Sequence, residues 1–193
     1  MGTLDGQILL WIQDNVRNDF LTPIFKFITS LGNSGWFWIA VTILCLLFVK
    51  TRKVGVLSAI ALIGSVVINN LILKNLIART RPYEVIEGLE RIIEAQPDYS
   101  FPSGHAGASF AAAVIFFIYL PKKFGVPALV LAILISLSRL YVGVHYPTDI
   151  LAGALISTAI AVCVWKVDEH MQNKKASVDC GSSPQSHKVV MTS

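Results

Sequence analysis

The stretch VPALVLAILISLSRLYV at residues 126–142 is apolar apart from two serines, a tyrosine and Arg139. Three further long apolar runs lie at Val54–Leu73, Ala106–Leu120 and Ile150–Val167. With flanking residues, each is close to the roughly 20 residues that cross a bilayer core as a helix. A fifth run, Trp36–Val49, needs residues 32–35 to span. The sequence therefore predicts an all-α integral membrane protein, a bundle of five transmembrane helices, or six if Phe20–Leu31 also spans.

The first 33 residues are more polar than these runs. Two short segments, Leu4–Trp11 and Phe20–Leu31, are apolar on one side, and charged residues accompany them at Asp14, Arg17, Asp19 and Lys26. Such segments are typical of helices that lie in the membrane interface. We predict N-terminal interfacial amphipathic segments at residues 1–33, a transmembrane domain at 34–167 and a disordered cytoplasmic tail at 168–193, which is rich in Ser, Lys and Gln.

Composition supports a membrane location and indicates the orientation. Apolar residues make up 54% of the chain and charged residues 15%, which is too apolar for an ordinary soluble domain of this length. The net charge of +4 does not indicate a nucleic-acid partner, because basic residues cluster just beyond apolar runs, at 50–53, 122–123 and 166–175. Such clusters face the cytoplasm. We predict a multi-pass plasma or inner membrane protein, with its C-terminus in the cytoplasm and the loops 79–103 and 143–149 outside.

Several cations follow the Val54–Leu73 run, in the sequence KNLIARTRP at residues 74–82. Lys74 and Arg81 are seven positions apart, about two helical turns, so both can project from one face towards a shared anion. Arg79 alone fits an interfacial anchor, beside a lipid entry flanked by Trp36, Trp38 and Tyr83. A group of cations on the membrane face that is normally poor in Lys and Arg favours an anion site.

The sequence FPSGH at residues 101–105 opens the next apolar run. Ser103 suits the N-cap of a helix, and Gly104 lets a ligand approach the backbone closely. The free amides and the positive dipole end of a helix N-terminus bind anions. His105 follows at the same place, although an ordinary turn with a structural histidine is an alternative interpretation.

The apolar run at residues 126–142 is joined to the Ile150–Val167 run by the sequence GVHYPTD, residues 143–149. Arg139 within the 126–142 run is costly unless it faces a polar cavity and a negative partner. Pro147 opens the following helix and leaves Asp149 in its first turn, within reach of His145. A histidine oriented by a carboxylate is the arrangement of an activated nucleophile. A capping pair that joins two spans is the alternative.

These residues form three patterns, K-x6-R-P, P-S-G-H and S-R-x5-H-x3-D, in this order and at helix ends. Together they resemble the motifs of the type-2 phosphatidic acid phosphatase superfamily, and the resemblance covers roughly Val54–Val167. It implies a core helical bundle and phosphoryl transfer without a cofactor. No carboxylate cluster of the kind that holds magnesium accompanies the two histidines, so we predict no metal site.

The resemblance also implies a role for each matching residue. His145 would attack phosphorus, Asp149 would hold its ring, and His105 would protonate the leaving group and then activate water. The groups that bind the phosphate oxygens would be Lys74, Arg81, Ser103, Gly104 and Arg139.

The predicted function is metal-independent hydrolysis of a lipid phosphomonoester or diphosphate through a phosphohistidine, at the extracytoplasmic face. Phosphatidate, phosphatidylglycerophosphate, diacylglycerol pyrophosphate and polyprenyl diphosphate all present the phosphoryl group that the motifs would bind. The predicted partners are thus the lipid substrate and the bilayer. One alternative is a transporter or lipid-binding protein that uses the basic cavity without turnover, and another is vanadate-dependent haloperoxidase chemistry in a similar anion pocket.

Overall fold

The structure, a computed structural model, describes residues 4–181, and the regular elements within this range are all helical. In chain order the helices are α1 (Leu4–Asn15), α2 (Leu21–Leu31), α3 (Trp36–Leu47), α4 (Arg52–Ser65), α5 (Lys74–Ile77), α6 (Pro82–Val85), α7 (Gly104–Tyr119), α8 (Lys122–Tyr141) and α9 (Pro147–Gly181). A 3-10 turn at Asn33–Gly35 joins α2 to α3, and a π-helical segment at Val66–Leu73 joins α4 to α5. The predicted all-α architecture is confirmed.

Helix α7 is the centre of the bundle, where it packs against α4, α8 and α9. Its sequence is rich in small residues, and Ala111, Ala112 and Ala113 are fully buried. Small side chains let neighbouring helix backbones approach closely, which is how membrane helices associate in the absence of water. Trp38 of α3 closes one side of this core and donates a 2.9 Å hydrogen bond from Nε1 to Ser109 Oγ.

Within residues 4–181, three helical stretches are long and apolar enough to cross a membrane: Arg52–Val85, Lys122–Tyr141 and Pro147–Ser177. Large apolar side chains on their outer faces are exposed, for example Ile63, Leu71, Leu137 and Leu155. An apolar exterior of this kind is stable in lipid, whereas a soluble protein rarely exposes such a surface. The prediction of a membrane protein is therefore supported by the distribution of side chains as well as by composition.

Helices α2 and α3 form a bent pair, with 46° between Leu21–Leu31 and Asn33–Leu47, that is long and apolar enough to make a fourth, broken span. The bend follows from the backbone at Ser34 (φ 50°) and Gly35 (φ 67°), which are both left-handed. Residues 32–35 therefore do not extend the Trp36–Val49 run as a straight helix, contrary to the expectation from sequence. The turn instead brings α2 against α8.

Helix α9 continues to Gly181, so residues 168–181 of the predicted disordered tail are helical in this structure. Local ionic contacts accompany this polar extension: Lys166 Nζ lies 3.0 Å from Glu169 Oε2, and Gln172 donates to Asp168 over 2.6 Å. Asp168 also pairs with Lys53 Nζ at 2.7 Å, which ties α9 to the start of α4. Residues 182–193 of the predicted tail lie outside the described residues.

Candidate active site

His145 lies in the turn between α8 and α9 and is 1% exposed. The turn is tight because Gly143 adopts φ +78°, and a Cβ there would lie 2.6 Å from Arg17 Nη2. Pro147 then begins α9. The imidazole is held on both sides, with Nδ1 3.4 Å from Asp149 Oδ2 and Nε2 3.2 Å from Arg81 Nη1. The predicted proximity of His145 and Asp149 is therefore present in the fold.

Asp149 is fully buried in the first turn of α9 and has several donors. Its Oδ2 accepts from the Tyr146 amide at 2.9 Å and from the Ser100 hydroxyl, and it also faces His145. Its Oδ1 accepts from Arg79 Nη1 at 2.7 Å. Both oxygens of the carboxylate are thereby fixed, so the orientation of the His145 ring is set by a side chain that cannot rotate freely.

Lys74 and Arg81 do converge on one anion, and in this structure that anion is the carboxylate of Asp98. Lys74 Nζ lies 2.5 Å from Asp98 Oδ2, and Arg81 Nη2 lies 2.5 Å from Asp98 Oδ1. Arg81 is further held by the carbonyl oxygen of Val144, which accepts from Nη1 at 2.8 Å. The two cations are buried, whereas about half of the Asp98 side chain is exposed.

Arg139 points from the last turn of α8 into the same region and is 1% exposed. Its guanidinium donates to Thr29 Oγ1 at 2.7 Å and to Gln96 Oε1 at 3.3 Å, while Nε has no hydrogen-bond partner among the described residues. These partners are neutral, so its charge is not paired by a carboxylate in direct contact. A buried cation of this kind favours an incoming anion.

Ser103, Gly104 and His105 occupy the start of α7, as predicted, but they have different surroundings. Ser103 is the N-cap: its Oγ accepts from the Ala106 amide at 3.4 Å, and its own amide donates to the Asp149 carbonyl oxygen at 3.0 Å. At Gly104 a Cβ would lie 3.0 Å from Asn70 Oδ1. His105 Nε2 lies 3.1 Å from Asn33 Oδ1, in the turn before α3.

Six of the eight predicted site residues line one cavity of about 450 Å³. Those six are Lys74, Arg81, Gly104, His105, Arg139 and His145. Ser103 and Asp149 are not part of the cavity wall, and they contact each other behind it. The sequence motifs are therefore brought together at one end of the bundle, with two residues supporting the wall and six forming it.

Electrostatics at the site favour the neutral form of His145. Burial lowers the pKa of His145 to about 3, and the positive charges of Arg81 and Arg139 act in the same direction, against the hydrogen bond to Asp149. Burial raises the pKa of Asp98, but the hydrogen bonds and charges of Lys74 and Arg81 outweigh it and hold that pKa below its usual range. At neutral pH, His145 therefore carries an unprotonated ring nitrogen suited to nucleophilic attack.

The sequence did not predict that Asp98 and Ser100 belong to the site. It also did not predict that Arg79 contacts Asp149. Arg79 is not a lipid-facing anchor, since it pairs with Asp149 and with Asp5 of α1. Trp38, expected beside a lipid entry, is instead buried in the core. Asp98 and Ser100 could have been identified by their short spacing from the P-S-G-H motif, because this spacing places them at the same helix end as the motif.

The PAP2 superfamily profile matches residues 52–171, well over half of the chain and all three motifs. The chain belongs to the PAP2 superfamily. An undecaprenyl-diphosphatase of Sulfolobus acidocaldarius is 34% identical over 141 residues, covering 73% of this chain and 68% of that protein. The predicted family is confirmed, and so is the predicted enzyme class, a lipid phosphate or diphosphate phosphatase.

Solved structures show the same PAP2 fold. A PAP2 type phosphatidylglycerolphosphate phosphatase from Bacillus subtilis superposes with a TM-score of 0.72 at 27% identity, covering 86% of this chain and 85% of that one. LpxE of Aquifex aeolicus gives a TM-score of 0.75 at 24% identity, over 86% of this chain and 96% of its own. The latter likeness concerns the fold alone. The PAP2 bundle therefore extends beyond the profile match, to most of the chain.

Proposed function

We propose that this protein hydrolyses a lipid phosphomonoester or diphosphate through a phosphohistidine on His145. The observation that carries the proposal is the buried, neutral imidazole of His145, placed between the Asp149 carboxylate and the Arg81 guanidinium at the edge of a cavity rich in cations. Relatives named as an undecaprenyl-diphosphatase and a phosphatidylglycerophosphatase support a lipid substrate with a terminal phosphate. Phosphatidate and diacylglycerol pyrophosphate belong to the same chemical class.

Substrate binding begins with exchange of one anion for another. The terminal phosphate takes the place of the Asp98 carboxylate on Lys74 and Arg81, and Arg139 supplies a further charge. The Gly104 backbone approaches the phosphate because no side chain intervenes. Charge on the equatorial oxygens of phosphorus is stabilised by these fixed cations, which is the main requirement of phosphoryl transfer.

In the first chemical step, His145 Nε2 forms a bond to phosphorus while the bond from phosphorus to the leaving oxygen breaks. The Nδ1 proton stays shared with Asp149, whose charge stabilises the cationic ring of the phosphohistidine. His105, on the cavity wall, takes up a proton together with the anionic substrate and gives that proton to the leaving alkoxide or phosphate. In the second step His105 takes a proton from water, the oxygen attacks phosphorus, and inorganic phosphate leaves as His145 is regenerated.

The site lies at the end of the bundle where α5 and α8 end and α7 and α9 begin, and we propose that this end faces outward. The opposite end carries Lys53 and Lys122, on the side that the positive-inside rule assigns to the cytoplasm. In this arrangement α3, the α4 to α5 stretch, α7, α8 and α9 cross the membrane, α1 and α2 lie near its outer surface, and the C-terminus is cytoplasmic.

The test is turnover by the purified protein in detergent with EDTA present. Phosphate release is measured from a panel of phosphatidate, phosphatidylglycerophosphate and undecaprenyl diphosphate, for the wild type and for His145→Ala. We expect release by the wild type, inhibition by vanadate, and loss of release in the variant. Unchanged release by His145→Ala excludes it as the nucleophile, and an acid-labile phosphoenzyme that accumulates in His105→Ala supports the division of roles.

The alternative of a transporter or lipid-binding protein that uses the same basic cavity makes a different prediction. Binding requires the cations, but it does not require the fixed pair of His145 and Asp149. A protein of that kind would bind lipid phosphates in detergent and release no phosphate from any member of the panel. The same assay therefore separates the two functions.

A further inference from the structure

Arg79 bridges two carboxylates from distant parts of the chain. Its Nη1 lies 2.7 Å from Asp149 Oδ1, and its Nη2 lies 2.9 Å from Asp5 Oδ2 on α1. The guanidinium also stacks on the Tyr146 ring, with 3.6 Å from Cζ to the ring centroid. These contacts use the planar, forked geometry that distinguishes Arg from Lys.

The backbone explains why Arg79 leaves the helix surface. Helix α5 ends at Ile77, and Ala78 adopts a left-handed conformation with φ 47°, so the chain turns away before Arg79. The side chain is 30% exposed, whereas its partners Asp5 and Asp149 are 14% and 0% exposed. Arg79 is therefore held by groups that are more buried than itself, which is not the environment of an interfacial anchor.

We propose that Arg79 is a positioning residue for the His145–Asp149 pair, and that Asp5 of α1 holds Arg79 in place. The inference rests on the proposed function, because it assigns Arg79 a role through the nucleophile. Asp149 uses Oδ2 for His145 and Oδ1 for Arg79, so the two contacts do not compete. Arg79 fixes the rotamer of the Asp149 carboxylate through Oδ1. Oδ2 therefore remains available to orient the His145 imidazole.

Helix α1 becomes part of the catalytic support in this arrangement. Asp5 lies outside residues 52–171, the part of the chain that the family profile matches. It also accepts a hydrogen bond from the Thr148 hydroxyl, whose oxygen accepts from Arg79 Nη1 at 2.7 Å. Asp5, Arg79 and Thr148 therefore form a closed set of contacts around the start of α9, and this set supports Asp149 from the side opposite His145.

Arg79 also affects the charge balance of the nucleophile. His145 faces Asp149 on α9, Arg81 after α5, Arg139 on α8 and His105 on α7. Loss of the Arg79 charge leaves Asp149 with less positive charge around it, so the carboxylate stabilises a protonated imidazole more strongly. The variant should therefore require a higher pH than the wild type to reach the neutral nucleophile.

The experiment compares wild type, Arg79→Gln, Arg79→Lys, Asp5→Asn and the control Asp14→Asn, which changes an exposed acid of the same helix. The kinetic constants for the best substrate of the panel are measured in detergent across pH 3 to 9, a range that reaches the lowered pKa of His145. We expect kcat to fall by about 10–100-fold in Arg79→Gln with little change in KM, since a displaced catalytic group costs rate more than binding. Arg79→Lys should recover part of the loss, and Asp14→Asn should match the wild type.

Two further readouts separate positioning from misfolding. The acidic limb of the kcat/KM profile should move to higher pH in Arg79→Gln, and inhibition by inorganic phosphate should stay within about 3-fold of the wild type because Lys74 and Arg81 are intact. Asp5→Asn should lower kcat in the wild-type background but not in Arg79→Gln, as expected for groups that act in series. An unchanged kcat in Arg79→Gln, or an unmoved acidic limb, overturns the inference. The proposed function is tested separately, and it fails if the wild type releases no phosphate from the panel or if His145→Ala retains turnover.

Discussion

Asp98 Oδ1 lies 2.5 Å from Arg81 Nη2, so a carboxylate from the loop before α7 pairs with a cation that the proposed reaction needs for phosphate. The same carboxylate contacts Lys74 through its other oxygen. A carboxylate that bridges two cations presents a pair of anionic oxygens to them, as a bound phosphate also does. Substrate and product must therefore compete with Asp98 for this position.

Asp98→Asn is expected to strengthen the binding of phosphate. The amide is neutral and pairs less strongly with Lys74 and Arg81, so both KM and the inhibition constant of inorganic phosphate should fall, by about 10-fold for one charge-assisted contact of roughly 1.5 kcal/mol. Inhibition by phosphate measures this without dependence on the lipid. Glu87→Gln, an exposed acid of the same loop, is the matched control. A raised inhibition constant in Asp98→Asn would show that Asp98 positions the cations and does not compete with phosphate.

Thermal stability should depend on pH through His145. Burial lowers its pKa to about 3 in the folded protein, while the unfolded value is about 6.5. Between these values the unfolded chain binds a proton that the folded chain does not, so stability is lost as the pH falls below about 6.5. We expect the unfolding temperature of the wild type to fall faster than that of His145→Gln between pH 7.5 and pH 5. The difference between the two unfolding temperatures at pH 8 gives the packing effect of the substitution. Unfolding temperatures that fall in parallel with pH in the two proteins would contradict the expectation.

Arg139→Lys should be more damaging than a conservative change suggests. The guanidinium is fixed by Thr29 and Gln96, and an ammonium group cannot keep both contacts while it reaches the cavity. We expect kcat/KM to fall by about 100-fold, the usual cost of one preorganised donor. Arg91→Lys changes an exposed arginine in a neighbouring groove, which Thr29 and Gln96 also line, and it should be close to the wild type. A loss of similar size in both variants would mean that the effect is not specific to the phosphate site.

The sequence predicted an apolar helical bundle and placed eight candidate site residues at helix ends, because both depend on local information. Apolar length identifies spans, and motif spacing places Lys74, Arg81 and His145 at helix ends. The residues that hold the site residues in place could not be predicted from local information. Asp5 is 74 positions from Arg79, and Asp98 is one of several acids in a loop without periodicity, so their contacts depend on tertiary packing. The kink before α3 was not predicted, although Gly32, Asn33 and Gly35 are typical turn residues, because the Trp36–Val49 run needed residues 32–35 to reach a spanning length.

The approach of α9 to α7 determines whether Ser103 and Asp149 can meet. At Gly153 a Cβ would lie 2.5 Å from the Ser103 carbonyl oxygen, and that oxygen is backbone and cannot rotate away. Gly153→Ala must therefore separate the two helices, break the 3.0 Å hydrogen bond from the Ser103 amide to Asp149, and cost about 1–3 kcal/mol of stability. Gly64→Ala is the matched control, because its Cβ meets only the Ile160 side chain at 3.0 Å, and an alanine favours the helix. Unfolding temperature and kcat should both fall in Gly153→Ala and stay near the wild type in Gly64→Ala, whereas equal behaviour of the two variants would show that this helix contact does not control the site.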